Sequence, residues 1–260
     1  MHTRISRRSW LIVAAVGTVV SLLLATKFAA DFVPAQISHE TILVDRDDRQ
    51  FRLVVPNSVA HQKDLPVVFA LHGALDTTDQ MADYTQLDHT ACEHGFLLVY
   101  LQGRHLNWPP SIPPENPDYI IPDLRFFETM CDLVVDRHSA DPERIYVVGV
   151  SQGGAMATVL TAKCSDHIAA SVCNCGWLPD PLGDTPLATA HKCPMLFISG
   201  TNDTQVRSET TRAAHDAFER DGHPVSFRSL AGRGHGWNEA NETVWAFLRE
   251  QRRSANQNVE

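Results

Sequence analysis

An α/β fold, with a mainly parallel central sheet and helices on both of its faces, is predicted by three features of the sequence. Continuous apolar runs recur along the chain, segments of helical spacing separate them, and glycine, proline or polar residues punctuate the joins. A strand that is apolar throughout must be covered on both sides, and crossover helices between parallel strands supply that cover.

The elements follow in order. TILVDRDDRQFRLVVP (41–56) reads as two short strands joined by a charged turn and closed by Pro56. PVVFAL (66–71) and FLLVY (96–100) are buried strands, and DQMADYTQLDHTACEHG (79–95) between them has the spacing of one helix ending near Gly95. The proline-rich RHLNWPPSIPPENPDYIIP (104–122) predicts a surface loop, and DLRFFETMCDLVVDRHS (123–139) a longer helix. RIYVVG (144–149) is a strand running into GVSQGG, with a helix after Ser151. An IAASVCN strand (168–174), the MLFISG strand (195–200), a helix over 207–221, the VSFRSL strand (225–230) and a last helix within 239–253 complete the alternation.

Length and composition suit one catalytic-size domain over 31–252, followed by a fraying tail at 253–260. The net charge of −9 opposes phosphate backbones and anionic lipid surfaces, which excludes nucleic acid as an expected partner. Residues 1–30 differ from the rest. The basic MHTRISRR precedes the uncharged run WLIVAAVGTVVSLLLAT, which reads as an export signal. Cleavage and retention as a membrane anchor through residues 10–26 both stay open, since the run is at the short end for a bilayer. SRRSWL (6–11) also resembles a twin-arginine signal. The expected location is therefore periplasmic or extracellular, with membrane contact only through the N-terminal segment.

Six cysteines, Cys92, Cys131, Cys164, Cys173, Cys175 and Cys193, fit an oxidising compartment and three disulfides of unassignable pairing. In a strand, Cys173 and Cys175 would face the same way. Because no C-x-x-C pair or matching histidine pair accompanies them, neither metal nor cofactor is expected.

Gly149-Val150-Ser151-Gln152-Gly153 is a G-x-S-x-G sequence between a buried strand and an apolar helix. That setting is what a nucleophile elbow requires, because small neighbours let strand and helix approach while the serine projects from a strained turn. Asp203 follows the carboxyl end of the MLFISG strand, where ligands bind in open sheets. His235 lies in GRGHGW, between the VSFRSL strand and the last helix. The order Ser151, Asp203, His235 is the nucleophile–acid–base order of α/β-hydrolases. His72 precedes the nucleophile and is the weaker base; His138, His167, His191 and His223 lack such a loop, and Asp180 and Asp184 are reserve acids. The backbone N–H of Gln152 is one expected oxyanion donor. LHGAL (71–75) supplies the other, from Ala74 with Leu75 in reserve, and His72 is a candidate for holding that loop. Trp237, Trp177 and Trp108 are candidate substrate walls, with core packing as the rival role for each.

RQFRLVVP, PVVFALHG, EHGFLLVYLQG, DLRFFETMCDLVVDRHSADPERIYVVGVSQGGAM, FISGTNDTQV and GRGHGW together resemble the secreted esterases that group polyhydroxybutyrate depolymerase catalytic domains with feruloyl and acetylxylan esterases. The resemblance spans roughly 49–249. It implies serine-based cleavage of small, polysaccharide or polyester esters, with nucleophile, acid and base on Ser151, Asp203 and His235 and the oxyanion loop around Gly73 and Ala74. SQGG and the CGWLP segment are similar to acyl-protein thioesterases. A thioesterase or acyltransferase using the same triad therefore stays open, as does an inactive binding protein on the same core. Oligomeric state is not readable from the sequence.

Overall fold

A computed structural model describes residues 33–109, 116–180, 182, 187–189, 191–237, 239 and 241–253. The expected signal or anchor at 1–30, Asp184 and residues 254–260 of the tail lie outside them. The chain divides after Pro34, and the unit described below begins at Ala35.

Among the described residues, eight strands form one sheet: β1 (Ala35–Val44), β2 (Asp47–Pro56), β3 (Leu65–Leu71), β4 (Leu97–Leu101), β5 (Ala140–Val150), β6 (Ala170–Asn174), β7 (Met195–Gly200) and β8 (Val225–Leu230), in the order β1-β2-β4-β3-β5-β6-β7-β8. β1 pairs antiparallel with β2, and β2 with β4; every later pairing is parallel. The helices are α1 (Thr78–Thr85), α2 (Leu87–His94), α3 (Ile121–His138), α4 (Gln152–Lys163), α5 (Ser208–Arg220) and α6 (Asn241–Arg249).

Strand alternation explains the two layers. On β3, Val67, Phe69 and Leu71 join a core with residues of α3, α4 and α5, while Val68 and Ala70 face a second core built with α1, α2 and α6. This is an α/β-hydrolase-type fold with helices on both faces, as the continuous apolar runs predict. The expected single helix over 79–95 is two. Gln86 takes a left-handed conformation (φ 55°), and its N–H caps α1 on the carbonyl of Ala82. Thr77 and Gln80 close a reciprocal capping box at the start of α1.

The expected three disulfides are absent: all six cysteines are free thiols. Five of them are buried, so their even number reflects core filling rather than pairing. Burial pushes the Cys164 and Cys193 thiols up to about 12, which keeps them protonated. Cys175 departs from the strand geometry expected of it. β6 ends at Asn174, and Cys175 adopts φ 50° beyond it.

Candidate active site

The end of β5 delivers Ser151 into a turn with φ 56° and ψ −120°, a conformation that L-residues adopt only under constraint. Two glycines make the turn feasible. A Cβ on Gly149 would run into the backbone of Gly153, and one on Gly153 into the carbonyl oxygens of Leu71 and His72. The Ser151 N–H donates to the Asn174 carbonyl at 2.9 Å, tying the elbow to the neighbouring strand.

Asp203 leaves β7 one turn beyond Gly200, and His235 arrives from the loop after β8. These loops are stitched together: Asn202 N–H donates to Arg233 O at 2.9 Å, and Gly232 N–H to Thr201 Oγ1 at 2.8 Å. A side chain at Gly200 would strike the Arg233 and Gly234 backbone, so this glycine lets the histidine loop cross. Thr201, Asn202 and Gly200 thus hold the two loops together; their position at and just beyond the end of β7 is the only sequence signal.

The three predicted residues meet. His235 Nδ1 lies 2.7 Å from Asp203 Oδ2, and His235 Nε2 lies 2.8 Å from Ser151 Oγ. The other Asp203 oxygen accepts the N–H groups of Gln205 and Val206, both at 2.9 Å. Burial alone would raise the Asp203 carboxyl, but the hydrogen bonds from His235, Val206 and Gln205 outweigh it and hold the group below its usual range. With Asp203 anionic, Nδ1 carries the imidazole proton and Nε2 is free to accept one from Ser151. The reserve acid Asp180 is exposed in a separate loop.

Of the two Leu71–Leu75 donors, Leu75 is removed by its own bonding. At φ 58° its N–H donates to Leu106 O at 2.8 Å. The N–H groups of Ala74 and Gln152 have no acceptor among the described residues, and both residues border Ser151 or its cleft. His72 holds this loop from within. It is fully buried; its Nδ1–H donates to Gly73 O, and Nε2 accepts the Gly103 N–H at 2.9 Å. Burial lowers its affinity for a second proton, consistent with the neutral tautomer. Gln102 bridges His72 Nε2 and the Asp76 carbonyl. Neither Gln102 nor Gly103 carries a motif that announces this role.

The cleft beside Ser151 encloses about 430 Å³ and is lined in part by Ala74, Asp76, Tyr84, Gln205, His235 and Trp237. Among the three candidate tryptophans only Trp237 stands there, with its indole N–H on Asn241 Oδ1. Trp108 is 2% exposed and braces the oxyanion side instead: Nε1–H donates to His72 O, and its backbone N–H to the Gln152 side-chain oxygen. Trp177 is half-buried outside the cleft lining.

Three clusters of metal-ligand type occur among the described residues: Cys175–Asp203–His235, Glu93–His94–Glu242 and His215–Asp216–Glu219. In the first, both histidine nitrogens and the Asp203 carboxylate are already engaged in the Ser151 chain. In the other two, internal His–carboxylate bonds on partly exposed side chains account for the grouping.

A profile described as the dienelactone hydrolase family matches residues 123–259. A putative esterase, NocK, of Nocardia uniformis subsp. tsuyamanensis is 29% identical over 64% of this chain and 48% of its own length. Feruloyl esterase B of Thermothelomyces thermophilus is 32% identical over 39% of this chain and 35% of its own. The chain thus spans half or less of these relatives. An acetyl xylan esterase structure from Aspergillus awamori superposes with TM-score 0.69 at 13% identity, covering 82% of this chain and 99% of that one, which is a likeness of fold.

Proposed function

The chain belongs to the dienelactone hydrolase family, and from that premise we propose that it hydrolyses carboxylic esters through an acyl-enzyme on Ser151. The observation that carries this reading is the continuous Asp203–His235–Ser151 hydrogen-bond chain, at 2.7 and 2.8 Å, opening into a cleft.

In the first step Ser151 Oγ attacks the ester carbonyl while its proton passes to His235 Nε2. The carbonyl oxygen becomes an anion, met by the N–H groups of Ala74 and Gln152. Asp203 stabilises the imidazolium and fixes its orientation. Collapse of the tetrahedral species breaks the bond to the alkoxy oxygen, which leaves with the proton from Nε2. Water then repeats the sequence: His235 takes its proton, the hydroxide oxygen bonds to the acyl carbon, and Ser151 leaves with the proton returned. Each oxyanion donor is worth about 3–4 kcal/mol in the transition state.

Aryl, feruloyl, acetyl-sugar and short hydroxyalkanoate esters are the proposed substrates, supported by the open cleft with Trp237 on one wall. Ser151→Ala should fold normally yet lose turnover of p-nitrophenyl acetate and labelling by a serine-directed phosphonate. Retention of both by the folded variant would overturn the reading. Export or N-terminal anchoring is part of the same proposal, supported by the basic-then-apolar order of residues 1–26.

A further inference from the structure

We propose that Asp76 acts as a charge filter, making this site selective for uncharged esters over those bearing a carboxylate near the scissile bond. The inference rests on the esterase reading and names its substrate class. Among the described residues lining the cleft, Asp76 is the sole carboxylate, and no lysine or arginine accompanies it.

Its placement is close to the chemistry. A Cβ built on Gly73 would lie 3.8 Å from Ser151 Cβ and 3.9 Å from Asp76 Oδ2, so nucleophile and carboxylate flank the same glycine. The group is also fixed. Its carbonyl accepts from Gln102 Nε2 at 3.1 Å, and Oδ1 accepts the Thr77 N–H at 3.1 Å, while Oδ2 is turned towards Gly73. Tyr84 lines the same wall. Partial burial, followed by the charge of Asp76 and a hydrogen bond to it, pushes its phenol up, so its O–H stays protonated and is directed at the carboxylate.

A second carboxylate entering this cleft meets a like charge at short range in a partly desolvated space, where repulsion is least screened. A neutral group meets no such repulsion. The overall charge of −9 has the same sign, but at physiological ionic strength its distant members are screened over about 8 Å. Asp76 is therefore the local determinant.

The test uses two acetyl esters of nearly equal shape, 3-acetoxybenzamide and 3-acetoxybenzoate, on the purified full chain. The wild type should favour the amide in kcat/KM by about tenfold or more at low salt, and Asp76→Asn should reduce that ratio by about tenfold. Asp76→Ser, which keeps a small acceptor for the Thr77 N–H, provides a second neutral side chain if the asparagine variant folds poorly. An amide-to-acid ratio unchanged in a folded neutral variant would overturn the proposal. Ser151→Ala separates the two ideas: loss of turnover on both esters supports the nucleophile independently of the ratio.

Discussion

Replacing Asp203 by asparagine tests the site at its least exposed member, and the outcome can be worked out from the bonds. The native carboxylate accepts three: His235 Nδ1–H on Oδ2, and the N–H groups of Gln205 and Val206 on Oδ1. An asparagine has one oxygen and one NH2. Turned with oxygen towards the backbone it keeps two bonds at 2.9 Å; turned the other way it keeps one and presses its NH2 against two donors. Each buried donor left without an acceptor costs about 1–3 kcal/mol, so the first orientation wins. The amide NH2 then faces His235 Nδ1, which must become the acceptor, and the ring proton moves to Nε2. In that tautomer the imidazole donates towards Ser151 Oγ and cannot take its proton.

The fold, held by the retained loop bonds, should survive while kcat drops about ten-thousandfold, or about 5 kcal/mol of barrier. Steady-state hydrolysis of p-nitrophenyl acetate, with near-UV circular dichroism as the control for packing, measures both quantities. A folded Asp203→Asn enzyme within tenfold of wild-type kcat would refute the tautomer argument and remove Asp203 as the orienting acid.

Two further outcomes follow from other contacts. His72→Phe preserves ring volume but strips the Gly103 N–H of its acceptor, so urea unfolding should show a loss of about 1–3 kcal/mol, with kcat falling as the Ala74 loop loosens; unchanged stability and rate would dismiss His72 as the loop's anchor. The Asp203 carboxyl is held below its unfolded value of about 3.9. Its contribution to stability is therefore complete above that value and is lost as pH falls through the lower folded one. The gap in melting temperature between wild type and Asp203→Asn should accordingly stay constant above about pH 5 and narrow as pH falls below about 4, and a gap that stays constant or widens on acidification through that range would contradict the depressed carboxyl.

Much of this architecture is legible in the sequence because the central strands β3, β4, β6 and β7 are buried on both faces and therefore continuous in hydrophobicity, while β8 shows the alternation of an edge strand. MLFISG and VSFRSL become β7 and β8 to the residue. The break at Gln86 is not legible for a physical reason. α1 and α2 bury Met81, Ala82, Leu87 and Ala91 in the same core, so apolar spacing runs on through a residue whose backbone has turned left-handed. The cysteines mislead similarly: their even count records composition, whereas a disulfide needs two sulfur atoms brought together by the fold.

The site shows where residue-type reasoning stops and contact reasoning must begin. Ser151, Asp203 and His235 can be picked out because chemistry restricts each to few residue types and the fold restricts each to a strand end. Oxyanion donors are main-chain groups, so any residue type can supply them, and the choice between Ala74 and Leu75 turns on which N–H is already taken. Leu106 takes that of Leu75. Trp108 illustrates the same distinction from the other side. An indole near a serine nucleophile looks like a wall for substrate, yet its two N–H groups are spent on His72 O and the Gln152 side chain, one on each flank of the oxyanion site. Its work is to keep those two flanks at a fixed separation. A donor pair that must reorganise during the reaction stabilises an anion less than one already in place, which makes the Trp108–His72–Gln102 group as much a part of the proposed chemistry as the side chains facing the cleft.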